Sequence, residues 1–231
     1  MTTVITDITD ITGCPLFKDI GAADLSALLN CLSAIKKHYQ KNDLIFLAGQ
    51  KAEKVGIVIR GSVHVVQEDF WGNRSIFAYI VAGGLFGESF SCSKVECPPV
   101  TVIAAEDTDV LLVDYRKIIT TCSPTCAFHT GLIKNMLQIL AADNIMMTQK
   151  MEHITKRSTR EKLLSYLSLQ ALQAGKNRFA IPFNRQELAD YLAVDRSALS
   201  KELGRMRDEG ILDFKHNNFE LKEPGIEYMD D

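Results

Sequence analysis

Residues 183–212 read FNRQELADYLAVDRSALSKELGRMRDEGIL, and this stretch decides the fold of the C-terminal third of the chain. Asn184 and Asp195 are of the residue types that cap helix N-termini, and Gly210 is the type that ends a helix. The pattern predicts two helices that begin at these caps and are joined by a short turn at 193–195. Five apolar residues are spaced to pack the two helices together: Leu188, Ala189, Leu192, Leu199 and Leu203. This arrangement is a helix-turn-helix.

The residues after Gly210, ILDFKHNNFELKE, predict a β-hairpin that turns at Asn217-Asn218. A helix-turn-helix followed by such a wing places the N-terminus of its second helix in the major groove of DNA. Arg196 begins that helix, and an arginine there can bond a guanine through two hydrogen bonds. The candidate DNA-binding residues are Arg185, Gln186, Arg196, Ser197, Ala198, Ser200, Lys201 and Arg205, with Lys215 as a further phosphate contact.

The charge distribution supports a nucleic-acid partner. The 231 residues carry a net charge of −3, yet residues 150–216 hold 13 lysines and arginines against 9 acidic residues. A basic segment inside an acidic chain indicates a localised anionic partner, of which double-stranded DNA is the first candidate. The chain is 46% hydrophobic, but no apolar run approaches the roughly 18 residues of a membrane helix. Its N-terminus also lacks the basic residues of a secretory signal, so we expect a cytoplasmic protein.

The first half of the sequence predicts an antiparallel β-roll. Short runs rich in Val, Ile and Phe alternate with glycine turns, a spacing typical of jelly-roll-like folds. The predicted strands are 43–49, 55–61, 63–69, 75–84 and 101–114. A short helix from Ala22 to Ser33 precedes them, with four leucines on one face. The expected fold class is therefore α+β.

After Ser123-Pro124 the apolar residues recur at alternating spacings of four and three residues. The positions that follow it are Ile133, Leu137, Leu140, Asn144, Met147, Met151 and Ile154. A heptad stripe with one polar residue inside it favours a parallel dimer, although the same stripe could pack on the roll. We therefore predict an effector-sensing domain at 1–122, a dimerisation helix at 123–155 and a DNA-binding domain at 156–231.

Six cysteines leave two interpretations open. Cys92 and Cys97 form one close pair and Cys122 and Cys126 another, at spacings that lack the C-x2-C pattern of a structural zinc site. In a cytoplasmic protein such cysteines are typically reduced thiols. The alternative is a redox or iron–sulfur sensor. No metal site is predicted.

The chain from about Cys14 to Leu221 resembles the CRP/FNR family of bacterial transcription regulators. The segments that carry the resemblance are IFLAGQKAEKVGIVIRGSVHVV (45–66), GGLFGES (83–89) and RQELADYLAVDRSALSKELGRM (185–206). The resemblance implies an N-terminal roll, a long dimerisation helix and a C-terminal winged helix. It also implies a homodimer, a two-fold symmetric operator, an effector pocket between roll and helix and, for an activator, RNA polymerase as a partner.

Two departures from the family pattern bear on mechanism. Members that bind cAMP hold its phosphate with an Arg followed by Ser or Thr, about ten residues after the Gly-Glu pair. Here Pro98-Pro99 occupies those positions and supplies neither a guanidinium nor a hydroxyl. The recognition helix carries Ser197 and Lys201 where members often have Glu and Arg, so the family operators do not transfer.

The effector is accordingly expected to be a small organic molecule other than cAMP, with no certain cofactor. The candidate effector-binding residues are Phe86, Gly87, Glu88, Ser89, Val100, Thr101, Asn144, Met147 and Thr148, with Val63 and Val65 as further roll residues.

Two other classes of function fit the sequence less well. A cupin-like enzyme needs a His-x-His metal set, and His64 stands alone in its strand. Phosphate-loop, dinucleotide and HExxH motifs are also absent from the sequence. A regulatory subunit that binds cyclic nucleotide would need the missing phosphate clamp and would not need a winged helix.

Overall fold

Two units make up the chain, residues 1–144 and residues 145–231, and the boundary between them falls inside a long helix. The computed structural model describes residues 11, 13–51, 54–91, 97–119 and 127–222. The division predicted at 122 and 155 stays a prediction. Among the described helices, none is both long and apolar enough to cross a bilayer.

The first unit is built on two four-stranded antiparallel sheets. Its strands are β1 (Ile35–Tyr39), β2 (Leu44–Phe46), β3 (Lys54–Arg60), β4 (Ser62–Glu68), β5 (Arg74–Val81), β6 (Leu85–Phe86), β7 (Thr101–Ala104) and β8 (Thr108–Asp114). One sheet has the order β1-β8-β3-β6 and the other β2-β7-β4-β5. The predicted antiparallel roll and the α+β class are confirmed.

Two strands differ from the sequence prediction. Strand β1, with the sequence IKKHY, was not predicted because three of its five residues are polar; it forms through pairing with β8, which is distant in sequence. The run at 101–114 was expected to be one strand, but it breaks at 105–107 into β7 and β8, which belong to different sheets. Thr108 stabilises this corner, because its hydroxyl donates to Ser62 O at 3.0 Å and accepts from Ser62 N at 3.2 Å.

The helices of the first unit pack on the β1 sheet. They are a 3-10 turn at Pro15–Phe17, α1 (Ala22–Cys31), α2 (Glu88–Ser91), α3 (Tyr115–Ile119) and the first part of α4 (Ala127–Ile154). The leucines predicted on one face of α1 are all buried with Leu132 and Met136 of α4. Asn135 of α4 is also buried, and its amide donates to the carbonyls of Leu16 and Lys18 at 3.0 and 2.8 Å. The N-terminal half of α4 is thus part of the core of the first unit.

The second unit contains the winged helix. After the end of α4 come α5 (Thr159–Ala174), β9 (Arg178–Ala180), α6 (Arg185–Leu192), α7 (Arg196–Asp208), β10 (Leu212–Lys215) and β11 (Asn218–Leu221). Ser158 begins α5 with a capping box, and Gly175 ends it in the left-handed conformation with φ 63°. The wing is a three-stranded antiparallel sheet in the order β10-β11-β9. Its hairpin turns at His216-Asn217, one residue before the predicted turn.

The close contact between Gly56 and Phe86 generates a stability prediction. A Cβ atom on Gly56 would lie 2.0 Å from Cζ of the buried Phe86 ring. We expect Gly56→Ala to lower the free energy of unfolding by roughly 1–3 kcal/mol or more, because the core must shift to accept the methyl group. Thermal denaturation measures the effect.

The matched control is Gly131→Ala, since nothing lies within 4 Å of that position on α4. Alanine there should stabilise the helix by about 0.5–1 kcal/mol. Equal melting temperatures for the two variants would contradict the packing described for the roll.

Candidate nucleic-acid interface and effector cavity

The N-termini of α6 and α7 are fixed by side-chain caps. Asn184 Oδ1 accepts hydrogen bonds from the backbone N–H groups of Gln186 and Glu187 at 2.9 and 3.0 Å. Glu187 returns a bond by accepting from Asn184 N at 2.8 Å. Asp195 Oδ1 accepts from Ala198 N at 2.9 Å and from the Ser197 hydroxyl, and these bonds lower the pKa of Asp195. The caps set where each helix begins and which side chains leave its first turn.

Helix α7 presents a polar face opposite its buried leucines. Leu199, Leu203 and Met206 are fully buried. The predicted contact residues on this helix are all exposed: Arg196, Ser197, Ala198, Ser200, Lys201 and Arg205. Arg205 also pairs with Glu202 at 3.5 Å. The first two turns of α7 therefore expose two cations, Arg196 and Lys201, and short polar groups, which are residue types that can bond base edges.

Arg185 differs in placement from the other predicted contacts. Its guanidinium lies over the rings of Phe214 and Phe219, 4.7 and 5.1 Å from their centroids. Burial lowers its pKa, and Nη1 is buried without a hydrogen-bond partner among the described residues. The side chain therefore joins the start of α6 to the wing sheet, an interaction that depends on residues about 30 positions apart.

An open depression of about 510 Å³ lies between these elements. Its lining comprises Asn184, Arg185, Gln186, Arg196, His216 and Asn217. Three of these residues were predicted to bind DNA, while His216 and Asn217 of the wing turn were not. A correct prediction of the wing turn would have identified them, but the sequence pattern predicts that turn one residue too late. Two arginines, amide groups and an imidazole around one depression suit an anionic oxygen such as a phosphate.

Two basic residues of α5 hold the helix-turn-helix in place. Arg160 pairs with Glu202 of α7 at 3.3 Å and with Glu209, the residue that caps the C-terminus of α7. Lys162 Nζ donates to the carbonyls of Leu192 and Ala193, at 3.3 and 3.2 Å, at the end of α6. Helix α5 is thus bonded both to the recognition helix and to the turn that precedes it.

The roll contains a small cavity of about 70 Å³. Of the residues predicted to bind an effector, Gly87 and Val100 line it, together with Val65. Residues missed by the sequence analysis complete the apolar wall: Ile45, Phe46, Leu47, Phe90, Pro98 and Val102. Gly87 has φ +83°, and a Cβ there would lie 2.8 Å from the Phe46 ring, so only glycine fits this turn.

The other predicted effector residues lie elsewhere. Phe86 is buried in the roll core and Ser89 is exposed. Thr101 Oγ1 accepts from Ala48 N at 3.1 Å. On α4, Asn144, Met147 and Thr148 are exposed. Their role in effector binding stays a prediction.

Glu88 is the one buried acid next to this turn. It is 7% exposed, its Oε1 accepts from the Ser89 hydroxyl at 2.8 Å, and its Oε2 has no hydrogen-bond partner among the described residues. Burial and the negative charge of Glu88 raise the pKa of Asp143 on α4 to about 6. A carboxyl group in this part of the first unit therefore titrates near neutral pH.

The cysteines are only partly within the described residues. Cys97 is exposed, and it immediately precedes Pro98 of the cavity wall. Cys92, Cys122 and Cys126 lie outside the described ranges. Cys14 is buried, which raises the pKa of its thiol. In the part of the chain that the structure describes, no three His, Cys, Asp or Glu side chains are grouped to hold a metal ion.

Comparisons with known proteins agree with both units. Residues 36–123 match the cyclic nucleotide-binding domain, and residues 161–225 match the Crp-like helix-turn-helix domain. The cAMP-activated global transcriptional regulator CRP of Pasteurella multocida (strain Pm70) is 23% identical over 183 residues, covering 77% of this chain and 85% of that protein. The transcriptional activator protein FnrA of Stutzerimonas stutzeri is 22% identical over 179 residues, covering 75% and 71%.

Solved structures show the same fold. FixK2 from Bradyrhizobium japonicum superimposes with a TM-score of 0.65 at 21% identity, over 82% of this chain and 93% of that chain. A cyclic-nucleotide-binding-type roll followed by a winged helix defines a DNA-binding transcription regulator rather than an enzyme. The chain belongs to the CRP/FNR family of these regulators.

Two basic side chains near the end of α4 are buried against α6 and α5. Lys150 and His153, near the end of α4, are 9% and 3% exposed. Lys150 Nζ lies 4.7 Å from the centroid of the Tyr191 ring on α6. His153 Nδ1 shares a 2.7 Å hydrogen bond with the Ser165 hydroxyl on α5. Burial lowers the pKa of His153 and lowers the pKa of Lys150 to about 8.

Lys150 makes the stability of the second unit depend on pH. Its pKa is about 8 in the folded protein and 10.5 in an ordinary environment, so between these values the unfolded chain binds more protons. The free energy of unfolding should therefore rise with pH from about 8 to 10.5, by on the order of 2 kcal/mol. Lys150→Met should remove this contribution, and calorimetry at pH 7 and pH 10 measures it. Lys176→Met, at an exposed lysine, is the control and should keep the wild-type pH dependence.

Proposed function

We propose that the chain acts as a homodimer that binds a two-fold symmetric DNA operator and responds to a small molecule in its roll. The observation that carries this proposal is the depression shared by α6, α7 and the wing turn. It brings the first turn of the recognition helix beside groups that bind phosphate. A DNA-binding regulator acts where the DNA is, so we infer a cytoplasmic location. If the regulator activates transcription, RNA polymerase is its further partner.

In this proposal the contacts divide into two kinds. Arg196, Ser200 and Lys201 face the base edges of the major groove. Gln186, Arg205 and Lys215 bind phosphates, while His216 and Asn217 add wing contacts on the depression. Arg185 acts mainly as a positioning residue, because its guanidinium is held on the wing phenylalanines.

Arg196 tests this assignment. We expect Arg196→Ala to relax specificity at one base pair in each half-site, at a cost of roughly 1–3 kcal/mol there. The measurement is the affinity for an operator selected from random DNA and for its single-base-pair variants. If Arg196→Ala instead weakens binding equally for all DNA sequences, Arg196 is a phosphate contact. Arg60→Ala, in the exposed part of the roll, should leave every affinity unchanged.

The dimer is proposed to form along α4. Large apolar side chains are exposed there, including Leu137, Met147 and Met151 of the predicted stripe, at 62%, 44% and 61%. Ile145 and Met146, which were not predicted, add 61% and 55% exposure. Leu140 is an exception, since it packs against the core of the first unit. Exposed apolar side chains repeated along one helix indicate a surface that a second copy covers.

Met151 tests the dimer. Met151→Glu should dissociate the protein in sedimentation and weaken operator binding, because a buried carboxylate at the seam opposes association. Leu172→Glu is the control, since Leu172 is 78% exposed on α5 and outside the stripe. A dimeric Met151→Glu protein would contradict a seam at this position.

A redox sensor is the second candidate function. The exposed Cys97 thiol favours it, because Cys97 adjoins the cavity wall. If this alternative is correct, the operator affinity of the wild-type protein changes when dithiothreitol is added. The affinity of the Cys97→Ser variant does not change.

A further inference from the structure

The wall of the roll cavity is apolar where it is deepest. Val65, Val100 and Val102 extend from the central strands and the segment before them, and Phe46, Phe90 and Pro98 close the sides. The cavity's polar side chains, Gln50 and Lys51, are both exposed and so lie at its mouth. A ligand seated here meets hydrocarbon inside and polar groups only at the opening.

The polar groups nearest the interior already have partners. Pro98 O accepts from Gly49 N at 2.8 Å, and Thr101 Oγ1 accepts from Ala48 N at 3.1 Å. These two bonds tie the segment around Gly49 to the segment before β7. Among the described lining residues, no side chain other than Gln50 and Lys51 offers a hydrogen-bond donor or a cation to a charged or phosphorylated group. Burying such a group without partners costs several kcal/mol, so the interior disfavours it.

The volume restricts the ligand further. A cavity needs roughly 10–15 Å³ on this measure to hold one water, so about 70 Å³ has room for only a few non-hydrogen atoms. An apolar cavity of about 150 Å³ is the size that holds benzene. A cyclic nucleotide, with its base, sugar and phosphate, is several times too large.

We infer that the roll cavity binds a mostly apolar molecule smaller than benzene, with any polar end directed to Gln50 and Lys51 at the mouth. This inference rests on the proposed function, in which the roll is the effector domain, and it specifies the class of effector. It separates this chain from regulators that bind nucleotides, although the fold of the roll is the same.

Xenon is a suitable probe, because it is apolar and fits dry cavities of this size. The experiment uses full-length protein with labelled valine and isoleucine methyl groups, observed by NMR at increasing xenon pressure. We expect saturable shifts at Val65, Val100 and Val102, and no shift of these methyls with millimolar cAMP. Absence of saturation by xenon, or saturable binding of cAMP at the same methyls, would overturn the inference.

Cavity-filling variants complete the test. Val100→Phe should abolish the xenon shifts at Val65 and Val102. Val65→Leu, read at Val100 and Val102, is a milder filler that serves if Val100→Phe does not fold. Val81→Phe is the matched control, since Val81 is 52% exposed and its shifts should match the wild type. Unchanged xenon binding in both fillers would place the site elsewhere and contradict the inference.

Operator affinity, measured on the same samples, distinguishes a failure of the inferred ligand class from a failure of the proposed DNA-binding function. Wild-type protein that binds its operator but not xenon disproves the ligand class and leaves DNA binding standing. Protein that binds no DNA sequence selectively disproves the proposed function, whatever xenon shows.

Discussion

The angle between α6 and α7 is fixed by buried leucines on both sides of a left-handed turn at Ala193. Leu188 and Leu192 precede the turn and Leu199 and Leu203 follow it, and all four are completely buried. Ala193 has φ 51°, a conformation that costs an L-residue energy and persists only where packing enforces it. Lys162 stabilises the turn by donating to the last carbonyls of α6. The position of the exposed face of α7 relative to α6 and the wing depends on this fixed angle.

Arginines of both helices pack on the wing sheet. Arg185 begins α6 and contacts Phe214 and Phe219. Arg207 of α7 lies 5.3 Å from the centroid of the Phe214 ring. This stacking brings the turn at His216 beside Arg196 on the rim of one depression. The surface for DNA is therefore assembled from three elements whose relative positions are set by burial rather than by flexible surface charges. Lys150 and His153 add buried basic groups that contact α6 and α5, and burial lowers the pKa of both.

In the proposed function, the roll combines a shared fold with a different ligand chemistry. Its domain matches the cyclic nucleotide-binding family, and its glycine turns have the expected conformations, as at Gly87. Pro98 lines the cavity, and it lies where the sequence comparison predicts the arginine of a phosphate clamp in members that bind cAMP. Function in such folds resides in the side chains of the site, so the same roll can respond to a different molecule.

Features set by local sequence were predictable. The winged helix followed from caps such as Asn184 and Asp195 and from leucine spacing, all of which act within a few residues. The strands with dense Val and Ile followed for the same reason. Strand β1 was missed because its sequence is polar and its formation depends on pairing with β8.

The missed parts of the site depend on contacts between distant residues. The cation–aromatic contact of Arg185 joins positions about 30 residues apart, and that of Lys150 with Tyr191 joins positions about 40 apart. No local pattern encodes either contact. The cavity wall at Ile45 and Phe46 likewise forms only when β2 pairs with β7.

The central claim is that two copies of the winged helix read DNA together. Hydroxyl-radical footprinting of the full-length protein on a selected operator tests it most directly. We expect two protected patches of equal strength, related by two-fold symmetry and centred about 34 Å apart, one turn of the double helix. A single protected patch, or protection without symmetry, would contradict it.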